Sequence, residues 1–134
     1  MEQIRERLMV IVHLCSKEGW YDGEGVAITE PQITAFLEMM DKLGIEFPEG
    51  LVPFVYPTPE GELRFEWDIW VHVTSLDINL HTYAGYFLDA VFRTGDKFRV
   101  DLPGLDTEDN YDLSREEEWR RLIKTLTSYE RISS

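Results

Sequence analysis

The chain has 134 residues, 43% of them hydrophobic and 13% aromatic, which predicts one globular domain, residues 1–134, with a sizeable core. Its 26 Asp and Glu against 13 Lys and Arg give a formal net charge of -13, which argues against direct binding to nucleic acid or to an anionic membrane surface. A single cysteine, Cys15, excludes an internal disulfide, and the first residues lack a signal-peptide pattern, so we expect a cytoplasmic protein.

The first predicted element is a helix from Glu2 to Lys17, ended by Gly19. Its apolar residues recur at helical spacing: Ile4, Leu8, Ile11, Val12 and Cys15. The uninterrupted apolar run from Leu8 to Val12 is wider than one stripe, so we expect this helix to be covered on more than one side.

A second helix is predicted to begin after Thr29, whose hydroxyl can cap it while Gln32 reaches back in a capping box. Pro31 suits the first turn, and Gly44 is placed to end the helix in a left-handed conformation. The predicted buried face is Ile33, Phe36, Leu37, Met40 and Leu43.

The residues that follow predict strands. Residues 52–56 can extend, the segment Pro57–Gly61 is a turn, and the sequence then alternates from Glu62 to Ile69. We expect the apolar residues of this last strand to face the core and Glu62, Arg64, Glu66 and Asp68 to face solvent.

Further strands are expected within residues 71–80 and 83–92, joined by a turn at His81–Gly85. A turn at Thr94–Asp96 would lead to a short edge strand, Lys97–Leu102. The sheet is therefore predicted as a meander of about four antiparallel strands.

The most acidic stretch runs from Asp101 to Glu118 and holds eight carboxylates and one base, a net charge of -7. Ser114 and Glu117 predict a second capping box. A last helix follows, with a buried face formed by Trp119, Leu122, Ile123, Leu126 and Tyr129. Two helices, a meander and a final helix predict an α+β fold with the helices on one face of the sheet.

The glycine-rich segment Gly19–Gly25 has two interpretations. Trp20 and Tyr21 could offer contact area to a partner, with glycines that allow close approach. Alternatively, the segment is a structural turn in which Trp20 fills the core and the glycines take positive φ. The sequence argues against phosphate binding, because no lysine or arginine follows the glycines at a helix start.

A calcium loop is a weak alternative near the C-terminus. Residues with oxygen-bearing side chains fall at loop positions 1, 3, 5, 7, 9 and 12: Asp106, Glu108, Asn110, Asp112, Ser114 and Glu117. Tyr111 stands where such a loop needs glycine, so a solvated acidic loop is the preferred interpretation.

The sequence contains no specific catalytic motif. Glu62, Glu66 and Asp68 could supply the two carboxylates that glycoside hydrolysis needs, but alternating charge on a solvent-facing strand explains them. His13 and Cys15 point in different directions on a helix, and the three histidines lack metal-site spacing. We therefore predict no catalytic residue, no metal and no cofactor.

Two segments carry a family resemblance: Asp22-Gly23-Glu24-Gly25 followed by Pro31, and Tyr56–Glu62 leading to Glu66-Trp67. Over residues 19–70 the chain resembles a small uncharacterised domain of bacteria and their mobile elements, with a D-G-x-G, helix, P-T-P-E-G-G, strand, E-W layout. Glu62 departs from it, since a second glycine is common there. The resemblance implies no catalytic residue, but it implies prophage and toxin–antitoxin-like neighbourhoods, where small acidic domains act by stoichiometric binding.

These observations lead to a functional hypothesis. We expect a non-enzymatic inhibitor of a basic, nucleic-acid-associated partner, either antitoxin-like or a phage-encoded DNA mimic of the anti-CRISPR kind. The predicted partner-binding residues are Asp106, Glu108, Asp109, Asp112, Glu116, Glu117, Glu118, Glu62 and Glu66. A carboxylate- or metal-dependent hydrolase and a structural homo-oligomer remain alternatives, and an acidic surface also serves solubility alone.

Overall fold

The computed structural model describes residues 2–69, 72–83, 86–96 and 107–133. Within these ranges the elements in chain order are α1 (Glu2–Cys15), α2 (Glu30–Leu43), β1 (Phe54–Pro57), β2 (Leu63–Ile69), β3 (His72–Ile78), β4 (Asp89–Asp96), β5 (Thr107–Asp112) and α3 (Glu116–Ser133), with a 3-10 turn at Leu80–Thr82. All strand pairs are antiparallel, and the sheet order is β1-β2-β3-β4-β5. The predicted α+β fold and meander are confirmed, with five strands where about four were expected.

The N-terminal helices follow from local signals. In α2 the N–H of Thr29 donates to Gln32 Oε1 over 2.9 Å, and Gly44 ends the helix at φ 67°, both as predicted. In α1 the predicted apolar residues are buried. However, Met9 is 51% exposed and Leu14 65% exposed, so the expectation that α1 is covered on more than one side is wrong. The helix also ends at Cys15, two residues before the predicted Lys17.

The two faces of the sheet differ sharply in composition. On the core face, cross-strand neighbours such as Phe65, Leu76 and Phe92 are buried against the helices. We call the opposite side the open face, and it includes two cross-strand rows. One row is Phe54, Glu66, Ser75, Arg93 and Glu108, and the other is Tyr56, Arg64, Asp77, Val91 and Asn110.

An aromatic cluster anchors the core. The ring of Phe47 lies 6.0 to 6.1 Å from the rings of Phe65, Trp67 and Trp119, with edge-on or tilted geometry. Such pairs add about 0.5–1.5 kcal/mol beyond the area that they bury. The cluster therefore ties the loop between α2 and β1 and the helix α3 to strand β2.

The C-terminal half departs most from the predictions. The turn predicted at Thr94–Asp96 is wrong, because these residues continue β4 and pair with β3, where Thr94 opposes Thr74. The stretch interpreted as an acidic loop forms β5, so the calcium-loop alternative is also wrong. The predicted edge strand Lys97–Leu102 and Asp106 lie outside the described residues.

The predicted capping box of α3 does not form. The hydroxyl of Ser114 lies 2.7 Å from Asp112 Oδ1 and 3.0 Å from the carbonyl oxygen of Tyr86. Ser114 is thus occupied by the end of β5, and α3 begins at Glu116. Trp119, Leu122 and Leu126 are buried as predicted.

Candidate functional site

The two segments that carry the family resemblance, residues 19–26 and residues 56–62, lie against each other, and we call them the joined segments. Residues 19–26 form a tight turn in which Gly19, Gly23 and Gly25 have positive φ and the backbones of Tyr21 and Glu24 pair. Trp20 packs against the core, and its Nε1 donates to the carbonyl oxygen of Val26 over 2.7 Å. The geometry is that of the structural turn, while Tyr21 remains 54% exposed at its tip.

The hairpin between β1 and β2 is held by its own backbone and by this turn. Thr58 N–H donates to the carbonyl oxygen of Glu62, and Glu62 N–H donates to Thr58 Oγ1. Val26 N–H donates to the carbonyl oxygen of Pro59 over 2.7 Å. Because Gly61 has φ 82° and packs under Val26, the turn and the hairpin form one joined surface.

A chain of alternating charges crosses the open face. Arg64 donates to both carboxylate oxygens of Asp77 at 2.7 and 3.1 Å, and Arg93 donates to Asp77 Oδ2 at 2.8 Å and to Glu108 at 3.1 Å. Asp77 is only 8% exposed, and two guanidinium groups surround it. The two arginines and two carboxylates of this series of ion pairs balance each other in charge. The charges of Glu62 and Glu66 beside them are therefore left unmatched.

A groove of about 440 Å³ opens where the hairpin meets the open face. Its lining consists of Tyr56, Pro57, Thr58, Pro59, Glu60, Arg64 and Glu66. Glu62 is adjacent: its burial, together with the nearby Asp77 and Glu60, raises the pKa of this carboxyl group. Burial is the larger cause of this raised pKa, and the neighbouring carboxylates add to it.

The predicted acidic tract is largely engaged within the molecule. Asp109 and Glu118 both pair with Arg121, whose guanidinium also lies 3.8 Å from the centre of the Tyr111 ring. Among the described residues, the other ion pairs of the tract are Glu108–Arg93, Glu116–Arg120 and Glu117–Arg115. Exposed pairs of this kind contribute little stability, but they leave less unmatched charge for a partner.

Asp112 has a structural role. Burial alone would raise its pKa, but hydrogen bonds from the Ser114 hydroxyl, the Leu88 N–H and the Ser114 N–H outweigh burial and lower the pKa. Asp112 therefore caps the junction between β5 and α3. The fold thus disperses the predicted binding residues that the structure describes. They lie on the open face (Glu66, Glu108), in the β1–β2 hairpin (Glu62), on β5 (Asp109), in the first turn of α3 (Glu116, Glu117, Glu118) and at this junction (Asp112).

The unmatched acidic charge is concentrated elsewhere, in residues 18–62, where only Glu62 was predicted as a partner-binding carboxylate. Residues 18–62 contain ten carboxylates and one base, Lys42. In the described part of the chain, one of these ten forms an ion pair, Asp41 with Arg5 of α1. A running count of charge along the sequence could have identified this segment.

The remaining chemistry-bearing side chains are dispersed. Burial raises the pKa of the Cys15 thiol, as expected for a core cysteine, and His13 is exposed on the same helix. His81 Nδ1 lies 3.2 Å from Gln32 Nε2. Among the described residues, no three His, Cys, Asp or Glu side chains are grouped so as to hold a metal ion.

Comparison of the chain with protein-family models, with curated proteins and with solved structures finds no match. In the parts of the chain described, no helix is both long enough and apolar enough to cross a membrane. The site must therefore be interpreted from its own geometry and charge.

Proposed function

We propose that this protein is a non-enzymatic inhibitor that binds a basic, nucleic-acid-associated protein in the cytoplasm and occupies the surface that would otherwise contact nucleic acid. An antitoxin-like factor and a phage-encoded inhibitor of a defence complex are the two forms of this proposal. Both require an acidic surface that a cationic partner can reach.

The observation that carries the proposal is the charge of residues 18–62. Ten carboxylates against one lysine give this segment a net charge of -9, the greater part of the total of -13. The C-terminal tract is more balanced, because Arg93, Arg115, Arg120 and Arg121 pair with its carboxylates. Four of the ten carboxylates, Asp22, Glu24, Glu60 and Glu62, lie on the joined segments, and this share of the charge supports a binding surface there rather than on the tract.

The test begins with affinity capture. The tagged protein is incubated with a nuclease-treated lysate of the source organism at about 0.05 M salt and eluted at about 0.5 M, where screening weakens contacts between exposed charges. We expect a basic protein in the eluate. The purified partner is then bound to a fluorescent DNA duplex. Adding this protein should release the duplex, and fluorescence anisotropy measures the release.

Two charge-neutralised variants locate the surface. One carries Asp22→Asn, Glu24→Gln and Glu60→Gln, which are exposed on the joined segments, and the other carries Glu108→Gln, Glu116→Gln and Glu117→Gln in the tract. Each removes three negative charges, and we expect the first to displace DNA less well than the second. A partner that salt does not release, or that keeps its DNA, would contradict the proposal.

A further inference from the structure

We propose that the groove between the β1–β2 hairpin and the open face receives a lysine or arginine side chain of the partner. This inference rests on the proposed function and specifies its central contact. It draws on the shape of the groove, on its carboxylates and on the internal pairing of its one arginine.

The wall of the groove suits a long cationic side chain. The ring of Tyr56, 40% exposed, lies beside Pro57 and Pro59, and together they offer apolar contact to a methylene stem. A cation over the tyrosine ring gains a cation–π attraction. The groove is also preformed, since hydrogen bonds at Thr58 and the bond from Val26 to Pro59 hold the hairpin.

The charge of the groove is complementary to a cation. Glu60 and Glu66 line it. Arg64 also lines it, but its guanidinium donates twice to Asp77, which in turn pairs with Arg93. The hydrogen bonds to Asp77 are the main cause of the raised pKa of Arg64, and Glu66 and Glu60 contribute less. Two glutamates beside an arginine that already pairs with Asp77 leave the groove negative for an incoming cation.

A second groove, at the outer edge of β1, shares the aromatic wall but not the charge. Phe54 and Tyr56 line it together with Gln3 and Arg7, and none of its lining residues is a carboxylate. The Nε of Arg7 donates to the carbonyl oxygen of Val55, so a fixed positive charge lies along this edge. A cationic side chain is therefore directed to the hairpin groove and not to the strand edge.

The experiment measures the binding of fluorescein-labelled nona-arginine to the full chain by fluorescence anisotropy at low salt. We expect the variant Glu60→Gln with Glu66→Gln to bind roughly tenfold more weakly than the wild type. The matched control is Glu46→Gln with Glu49→Gln, in the loop whose Phe47 packs on the core face. This control removes the same charge and should weaken binding much less.

A second pair of variants tests the aromatic wall. Tyr56→Leu should weaken binding about threefold, whereas Tyr56→Phe, which keeps the ring, should bind like the wild type. Circular dichroism melts verify that every variant is folded.

Equal weakening by the two double-glutamate variants would overturn the groove while leaving an acidic binding protein in place. Failure of the wild type to bind nona-arginine would overturn the groove proposal. Failure of the wild type to displace DNA in the partner assay would separately overturn the proposed function. Binding that forms a stable complex of two copies of this chain would also overturn the groove proposal.

Discussion

The N–H of Val26 donates to the carbonyl oxygen of Pro59 over 2.7 Å, and this hydrogen bond joins the glycine-rich turn at residues 19–26 to the β1–β2 hairpin. Gly61 lies beneath the contact: a Cβ built there would stand 2.8 Å from Val26 Cγ1 and 2.8 Å from His81 Nε2. The junction therefore requires glycine both for its positive φ and for its lack of a side chain.

Gly61→Ala should destabilise the protein by about 2–3 kcal/mol. Alanine, unlike glycine, is strained at φ 82°, and its methyl group must displace Val26 or His81. The measurement is the free energy of unfolding in urea. Gly44→Ala is the control, because Gly44 also has positive φ but nothing lies within 4 Å of its built Cβ. It should cost about 1 kcal/mol, and an equal cost at both positions would refute the steric part of this prediction.

How much of the fold the sequence predicts depends on how local its determinants are. The cap at Thr29, the apolar spacing of α2 and the end at Gly44 all lie within one helix, and this element was predicted nearly in full. β5 was missed because Asp, Glu and Asn have low strand propensity. That strand exists through its pairing with β4 and the burial of Tyr111, neither of which its own residues reveal.

The candidate site was predicted in pieces. Alternation correctly assigned Arg64 and Glu66 to the face away from the core, but it could not give the strand register that places Arg64 beside Asp77. The two joined segments were each identified, yet their contact is a tertiary one that neither segment encodes alone. The ion pairs of the acidic tract could not be predicted, because they depend on where α3 meets the sheet.

Asp77→Asn should lower the free energy of unfolding by about 1–3 kcal/mol, because it leaves Arg64 and Arg93 without their shared carboxylate at a largely buried position. Urea denaturation at pH 7 measures the change. Glu108→Gln removes the exposed end of the same chain of charges and should cost less than about 0.5 kcal/mol. Comparable losses for the two variants would show that Asp77 gains nothing from its burial between two strands.

Glu62→Gln should raise the free energy of unfolding at pH 7. The pKa of Glu62 is raised above the ordinary 4.5 in the folded state, so the folded protein holds this proton more tightly than the unfolded chain does. Stability is therefore lost as the pH rises from about 4.5 through the folded pKa, and the substitution removes this loss. The gain should vanish below a pH of about 4, and a gain that persists there would refute the pKa explanation.

Asp112→Asn should have the opposite pH dependence. The pKa of Asp112 is lowered below the ordinary 3.8, so its carboxylate stabilises the folded protein above that pH, and the stabilisation is lost as the pH falls through the folded pKa. We expect the variant to lose about 1 kcal/mol at pH 7, because hydrogen bonds to a charged acceptor are replaced by weaker ones, and to match the wild type in strong acid. Ser114→Ala removes one of the donors, so in that background Asp112→Asn should cost less. Additive losses in this double-mutant cycle would show that the Ser114 hydroxyl does not contribute to the lowered pKa.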